Sequence, residues 1–171
     1  MSSKDINLSE VGAYGIPEGK ECKIGIAVSD WNNEITDKLL EACLKTLKDN
    51  GVQEAHITTV RTPGAFELPF AARTLIKHAQ PEAVICLGCV IKGETRHDEY
   101  INRAVASGIT QLGLATDIPV IFGVLTVENK AQAEDRAGGK HGNKGDESAH
   151  TALKMIALKK QFTGSSKKIG Y

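Results

Sequence analysis

The chain reads as an α/β protein, a three-layer α/β/α sandwich with helices on both faces of a central four-stranded parallel sheet. Two observations predict this. Four strand-like runs recur, three of them continuously apolar, as strands buried on both faces require, and one rich in β-branched residues. Between consecutive runs lies a helical pattern long enough to return the chain to the same end of a parallel sheet. At 171 residues the chain suits one domain with a proper core. The crossovers are expected to be right-handed.

The elements follow in order. Ile24–Val28 is the first strand. Glu34–Asp49 is a helix with Ile35, Leu39, Cys43 and Leu47 on one stripe and Gly51 placed to cap it. His56–Val60, rich in β-branched residues, is the second strand. The next helix carries Phe70, Ala71, Leu75 and Ile76, and Pro81 stops it. Ala83–Ile91 is the third strand. Asp98–Ala115 shows the cleanest helical period, in Ile101, Ala104, Val105, Gly108, Ile109 and Leu112. Pro119 opens the fourth strand, Val120–Thr126. A short polar helix, Glu128–Arg136, leads into a Gly-rich turn, and the last helix lines up Ala149, Ala152, Leu153, Ile156 and Ala157. Residues 1–20 read as an extended arm and the tail from Thr163 as frayed.

Composition narrows the function. Hydrophobic residues are 41% and charged residues 25%, ordinary for a globular protein. The 21 basic residues balance 21 acidic ones, which argues against nucleic acid as a main partner. The start, MSSKDINLSE, lacks the apolar core of a secretory signal, and no apolar run approaches the ~18 residues of a membrane span, so the expected location is cytoplasmic. Cys86 and Cys89 form a C-x-x-C spacing on a strand. Their side chains then point to opposite faces, with Cα atoms roughly 10 Å apart, which favours packing over redox or metal chemistry.

The strand ends carry the chemistry, where open parallel sheets bind ligands. After the third strand, Gly88–Tyr100 brings Glu94, Thr95 and His97 to a helix start: a hydroxyl, free N–H groups and an imidazole, enough to hold an anion and move a proton. After the first strand stands Trp31, the only tryptophan, either a platform for a flat ring or a cap on the core. Asn32 beside it suits a helix N-cap. After the second strand, Gly64 and Ala65 offer backbone N–H groups at close approach. Glu67 serves either the helix dipole or ligand hydroxyls. Arg136 follows the fourth strand beside two acids. Neither G-x-G-x-x-G after the first strand nor G-x-x-x-x-G-K-[ST] occurs.

Five segments in order resemble the lumazine synthase (6,7-dimethyl-8-ribityllumazine synthase) family: Trp31-Asn32, P-G-A-F-E-L-P, G-x-V-I-x-G-x-T-x-H, V-I-F-G-V-L-T and R-A-G-x-K-x-G-N-K-G. The resemblance spans about Lys23 to Gln161. It implies a flavodoxin-like fold and a transferase in the penultimate step of riboflavin biosynthesis. That enzyme joins 5-amino-6-(D-ribitylamino)uracil to 3,4-dihydroxy-2-butanone 4-phosphate, forming 6,7-dimethyl-8-ribityllumazine, phosphate and water, with no metal or organic cofactor. Carried onto this sequence, Trp31 stacks on the pyrimidine, where many members have Phe or Tyr. Ala65, Phe66 and Glu67 hold the ribityl chain, and Cys89, Val90 and Ile91 line the ring edge through main-chain groups. Glu94 and Thr95 meet the phosphate through backbone N–H and hydroxyl groups; small residues are commoner at the Glu94 position, and a carboxylate there has to point away from the phosphate. His97 is the general acid/base, Phe122 covers the ring's other side, Arg136 clamps the phosphate and Lys144 adds charge nearby.

The resemblance also implies self-association into pentamers whose pockets lie between neighbouring copies, with Arg136 and the fourth-strand end facing the next chain's pocket, and association with riboflavin synthase. The short turn Gly138–Gly145 is the type found in members that close into icosahedral shells of 60 copies, ~1,100 kDa at 18.3 kDa each, against ~90 kDa for a free pentamer. Two alternatives remain: an archaeal-type riboflavin synthase, against which the intact G-x-T-x-H and R-A-G patterns argue, and a non-catalytic shell or ligand-binding protein, against which the presence of both His97 and Arg136 argues.

Overall fold

The computed structural model describes Asn7, Ser9, Glu10 and residues 13–163. Its main sheet has four parallel strands: β1 (Ile24–Ser29), β2 (Ile57–Thr62), β3 (Ala83–Ile91) and β4 (Val120–Val127), in the order β2-β1-β3-β4. Register pairs Ile24 with Ile57 and Ala83, and Val84 with Val120. Every residue of β1 is buried, and so is all of β3 except Ile91, which is why both read as unbroken apolar runs. β2, at one edge, exposes Thr58, Thr59 and Arg61.

The helices divide between the two faces. Helix α1 (Asn33–Asp49) and the last helix, α5 (Lys144–Thr163), share a core with Ile24, Ile26, Val28, Ile85, Leu87 and Cys89. On the other face α2 (Leu68–Ala79) and α3 (His97–Thr116) pack on Ala27, Val84, Cys86, Val90 and Val124. The three-layer reading therefore holds. Cys86 and Cys89 fall in different cores, as their spacing predicted, and all four cysteines are free and buried.

Local differences have local causes. The second strand begins one residue late, because Glu54–His56 form a 3-10 turn closed by His56 N–H donating to Gln53 O at 2.9 Å. The polar helix shrinks to α4 (Lys130–Asp135), since its N-cap is Asn129, whose Oδ1 accepts from Gln132 N at 3.0 Å. The Gly-rich turn forms a small antiparallel hairpin of β5 (Ala137–Gly139) and β6 (Gly142–Asn143). Gly138 (φ 104°) and Gly142 (φ 81°) supply its left-handed backbone. Of the expected arm, Ser9 is tied to this hairpin, accepting from Asn143 N at 2.8 Å and donating to Asn143 O at 3.2 Å. Residues 164–171 of the expected tail lie outside the described residues, and Thr163 itself belongs to α5.

Candidate functional site

The order β2-β1-β3 sends the chain from β1 outward to one side and then to the other, leaving a crevice where β1 and β3 end. A cavity of about 550 Å³ opens there. Four separate segments line it. Trp31 comes from the loop after β1, and Ala65, Phe66 and Glu67 from the 3-10 turn after β2. Cys89, Val90 and Ile91 come from the end of β3, and Thr95 and His97 from the entry to α3. Pro63, Gly64, Gly93, Asp98 and Ile101 complete the wall. Asp98, in the first turn of α3, is a wall residue that the motifs do not mark, although its place next to His97 points to it.

Each wall has a structural reason. Trp31 is 73% exposed, so it is no cap on the core; its ring stands at the cavity mouth, as does Phe66. Asn32 sits at the N-cap position of α1, but its backbone is left-handed (φ 60°) and its side chain caps nothing. Instead its Nδ2 donates to Cys89 O at 3.0 Å and ties the Trp31 loop to the end of β3. Gly64 N–H is not open to a ligand as expected, because it donates to Glu67 Oε2 at 3.1 Å. That bond organises the turn while Glu67 still borders the cavity. Helix α3 starts at His97 with no side-chain cap, so its first N–H groups remain available to an anion beside the cavity. Burial pushes the Cys89 thiol up to about 11 and Cys86 to about 12, so neither supplies a thiolate near neutral pH.

The other expected residues lie outside this cavity. Glu94 is exposed in the loop before α3 and does not line it. Phe122 lies on β4, half-buried against the α2/α3 core. Arg136 ends α4 and is held by the hairpin. Its Nη1 donates to His141 O at 2.6 Å, and its Nη2 stands 2.6 Å from Glu147 Oε1 in an ionic contact rather than an aligned hydrogen bond. Lys144 Nζ reaches Glu147 Oε2 at 3.2 Å. One partly buried carboxylate thus gathers both cations.

Residues 21–160 match the family model of 6,7-dimethyl-8-ribityllumazine synthase, a span that contains every site residue from Trp31 to Lys144. The chain belongs to the 6,7-dimethyl-8-ribityllumazine synthase family. Relatives bearing that name cover nearly the whole molecule. The protein of Cytophaga hutchinsonii is 53% identical over 92% of this chain and 98% of its own. That of Parabacteroides distasonis is 50% identical over 91% and 98%, and that of Porphyromonas gingivalis 49% identical over 94% and 99%. The chain therefore aligns with almost the full length of these relatives. Among the described residues no helix is long and apolar enough to cross a membrane.

Proposed function

We propose that the cavity between the ends of β1 and β3 is where this chain condenses 5-amino-6-(D-ribitylamino)uracil with 3,4-dihydroxy-2-butanone 4-phosphate. The observation that carries this reading is convergence: nine side chains chosen from four separate sequence segments border one cavity. Trp31 stacks on the pyrimidine, Glu67 accepts from ribityl hydroxyls, and main-chain groups of Cys89 to Ile91 meet the ring edge. Thr95 and the open start of α3 hold the phosphate.

The amine of one substrate attacks the ketone of the other and water leaves to give an imine. Phosphate is then eliminated, and the ribitylamine nitrogen attacks the remaining carbonyl, closing the ring with loss of a second water to give the lumazine. His97, beside Thr95, passes protons in these steps. Most of the acceleration comes from holding two reactants together.

Electrostatics favours a site completed by a second copy. Glu67 and Asp98 border the cavity, and among the described residues no Lys or Arg does. A phosphate there needs a cation from elsewhere. Arg136 and Lys144, with Phe122, are placed by this reading in the pocket of the neighbouring copy in a pentamer, and twelve pentamers close into a shell. Adding both substrates to the purified protein and following lumazine fluorescence tests the reaction. Folded protein that forms no lumazine refutes it. Sedimentation velocity tests the assembly separately, because a single species near 90 kDa excludes the shell and a monomer near 18.3 kDa excludes both.

A further inference from the structure

Trp31 has little packing to fix its ring, at 73% exposure. Its orientation is therefore set by the backbone on which it stands. That backbone is anchored on its inner side by Asp30 N–H donating to Thr62 O at 2.8 Å, Trp31 N–H donating to Pro63 O at 3.1 Å, and the Asn32 amide on Cys89 O. On the outer side the anchor is a guanidinium. Arg61, near the end of edge strand β2, donates through Nε to Asp30 Oδ1 and through Nη2 to Asp37 Oδ1 at 2.8 Å. Asp30 belongs to the Trp31 loop and Asp37 to α1, so one planar fork joins three elements around the tryptophan.

We propose that Arg61 is a positioning residue, whose guanidinium spans Asp30 and Asp37 and so sets the pose in which the Trp31 ring meets the pyrimidine. The inference rests on the reading of Trp31 as the pyrimidine platform. Both carboxylates keep Arg61 more firmly protonated than usual, the hydrogen bond to Asp30 contributing most. The pairs are partly exposed, and exposed pairs are individually weak. A shared guanidinium is a network, however, and it acts on a ring with little other support.

The chain carries its own reporter, because Trp31 is the only tryptophan. Time-resolved fluorescence anisotropy reads the motion of that ring directly, and steady-state kinetics reads each substrate separately. In Arg61→Met the fast component of the anisotropy decay grows, and KM for the pyrimidine rises about 2- to 5-fold, the ordinary worth of an exposed ion pair. KM for the butanone phosphate and kcat stay within about 2-fold of the parent. Arg61→Lys, one charge without a fork, falls between. Lys45→Met, which breaks a more exposed pair with Asp49 elsewhere on α1, changes neither readout.

Unchanged anisotropy in Arg61→Met overturns the inference whatever the kinetics. So does a looser ring with unchanged pyrimidine KM when Trp31→Ala raises that KM. If the ring loosens and neither variant changes pyrimidine KM, the platform reading of Trp31 fails, and the positioning role of Arg61 falls with it.

Discussion

Gly145→Ala tests the packing that carries the Arg136 hairpin. Gly145 is the second residue of α5, and it crosses α1 at Leu39. A Cβ built there lies 2.8 Å from the Leu39 carbonyl carbon and 3.0 Å from Asn143 Oδ1, and nearer still to the Leu39 carbonyl oxygen. Carbon atoms in contact sit at ~3.5–4.0 Å, so the added methyl overlaps backbone by about 0.7 Å or more. Leu39 cannot swing away, because it lies mid-helix with its side chain fully buried. Overpacking a core costs ~1–3 kcal/mol, and a backbone obstacle puts this case at the upper end. Replacing Gly by Ala in a helix returns ~1 kcal/mol. The clash wins by about 2 kcal/mol. At ~2–4 °C per kcal/mol for a chain of this size, Tm falls by about 4–8 °C. The urea midpoint falls by about 1 M at an m-value near 2 kcal/mol/M. Calorimetry and urea titration at one fixed protein concentration measure both, since self-association makes stability concentration-dependent. Gly93→Ala, with nothing within 4 Å of the added carbon, is the control. A Gly145→Ala protein as stable as the parent would show that helix propensity outweighs the contact and that α5 has slack against α1.

Other expected outcomes bear on the site. Arg136→Ala weakens the butanone phosphate by about 1.5–3 kcal/mol, roughly 10- to 150-fold in KM, and leaves the pyrimidine largely unaffected; loss of pyrimidine binding alone contradicts the assignment. His97→Ala slows turnover by up to ~10²–10⁴-fold, keeping a residue of activity from proximity, and an unchanged kcat removes His97 from the mechanism. Native protein at neutral pH resists alkylation at Cys86 and Cys89, while the urea-unfolded chain reacts at all four cysteines; rapid native labelling of Cys89, read by mass spectrometry, contradicts the burial argument. Burial holds His150 below the usual histidine range, with Asp146 opposing and Lys154 reinforcing, so its folded pKa lies below its unfolded value near 6.5. As pH falls through that unfolded value the unfolded chain takes the proton first, and stability is lost until the folded pKa is passed. His150→Gln therefore flattens the fall in urea midpoint on the acid side of about 6.5, and an unaltered slope refutes the point.

The sheet and the larger helices were legible because their causes are local or periodic. β1 and β3 are buried on both faces, and only an unbroken apolar run satisfies that. The stripe Ile35, Leu39, Cys43 and Leu47 is entirely buried, as its spacing required. What sequence reasoning missed depends on partners far along the chain. The β5/β6 hairpin is too short to announce itself. It is held by Asn143, which donates through its amide to Lys38 O at 3.2 Å and accepts from Gly145 N at 2.8 Å. Residue type placed Asn32 correctly at a helix start and misjudged its side chain, because Asn also tolerates the left-handed backbone that turns the amide toward β3. Glu67 likewise served a turn and a cavity wall at once, so the two readings of it were not exclusive.

The candidate site divides along the same line. Segments that follow β1, β2 and β3 meet because parallel strands deliver their carboxyl ends to one edge, so motif position alone brought nine residues together. Arg136 and Lys144 also follow a strand of that sheet, yet α4 and the hairpin carry them away, and Glu147 fixes both cations against α5. A sequence motif records that a family uses a residue and is silent on which copy uses it. Charge is the argument for the second copy proposed above. A wall with two carboxylates and, among the described residues, no Lys or Arg is poorly suited to a phosphate, while a guanidinium and an ammonium converge on Glu147 outside it. The pentamer proposed above is one arrangement that would bring the Arg136 side of one copy against this wall of the next, and a two-fold pair is another, so the mass measured by sedimentation velocity decides between them.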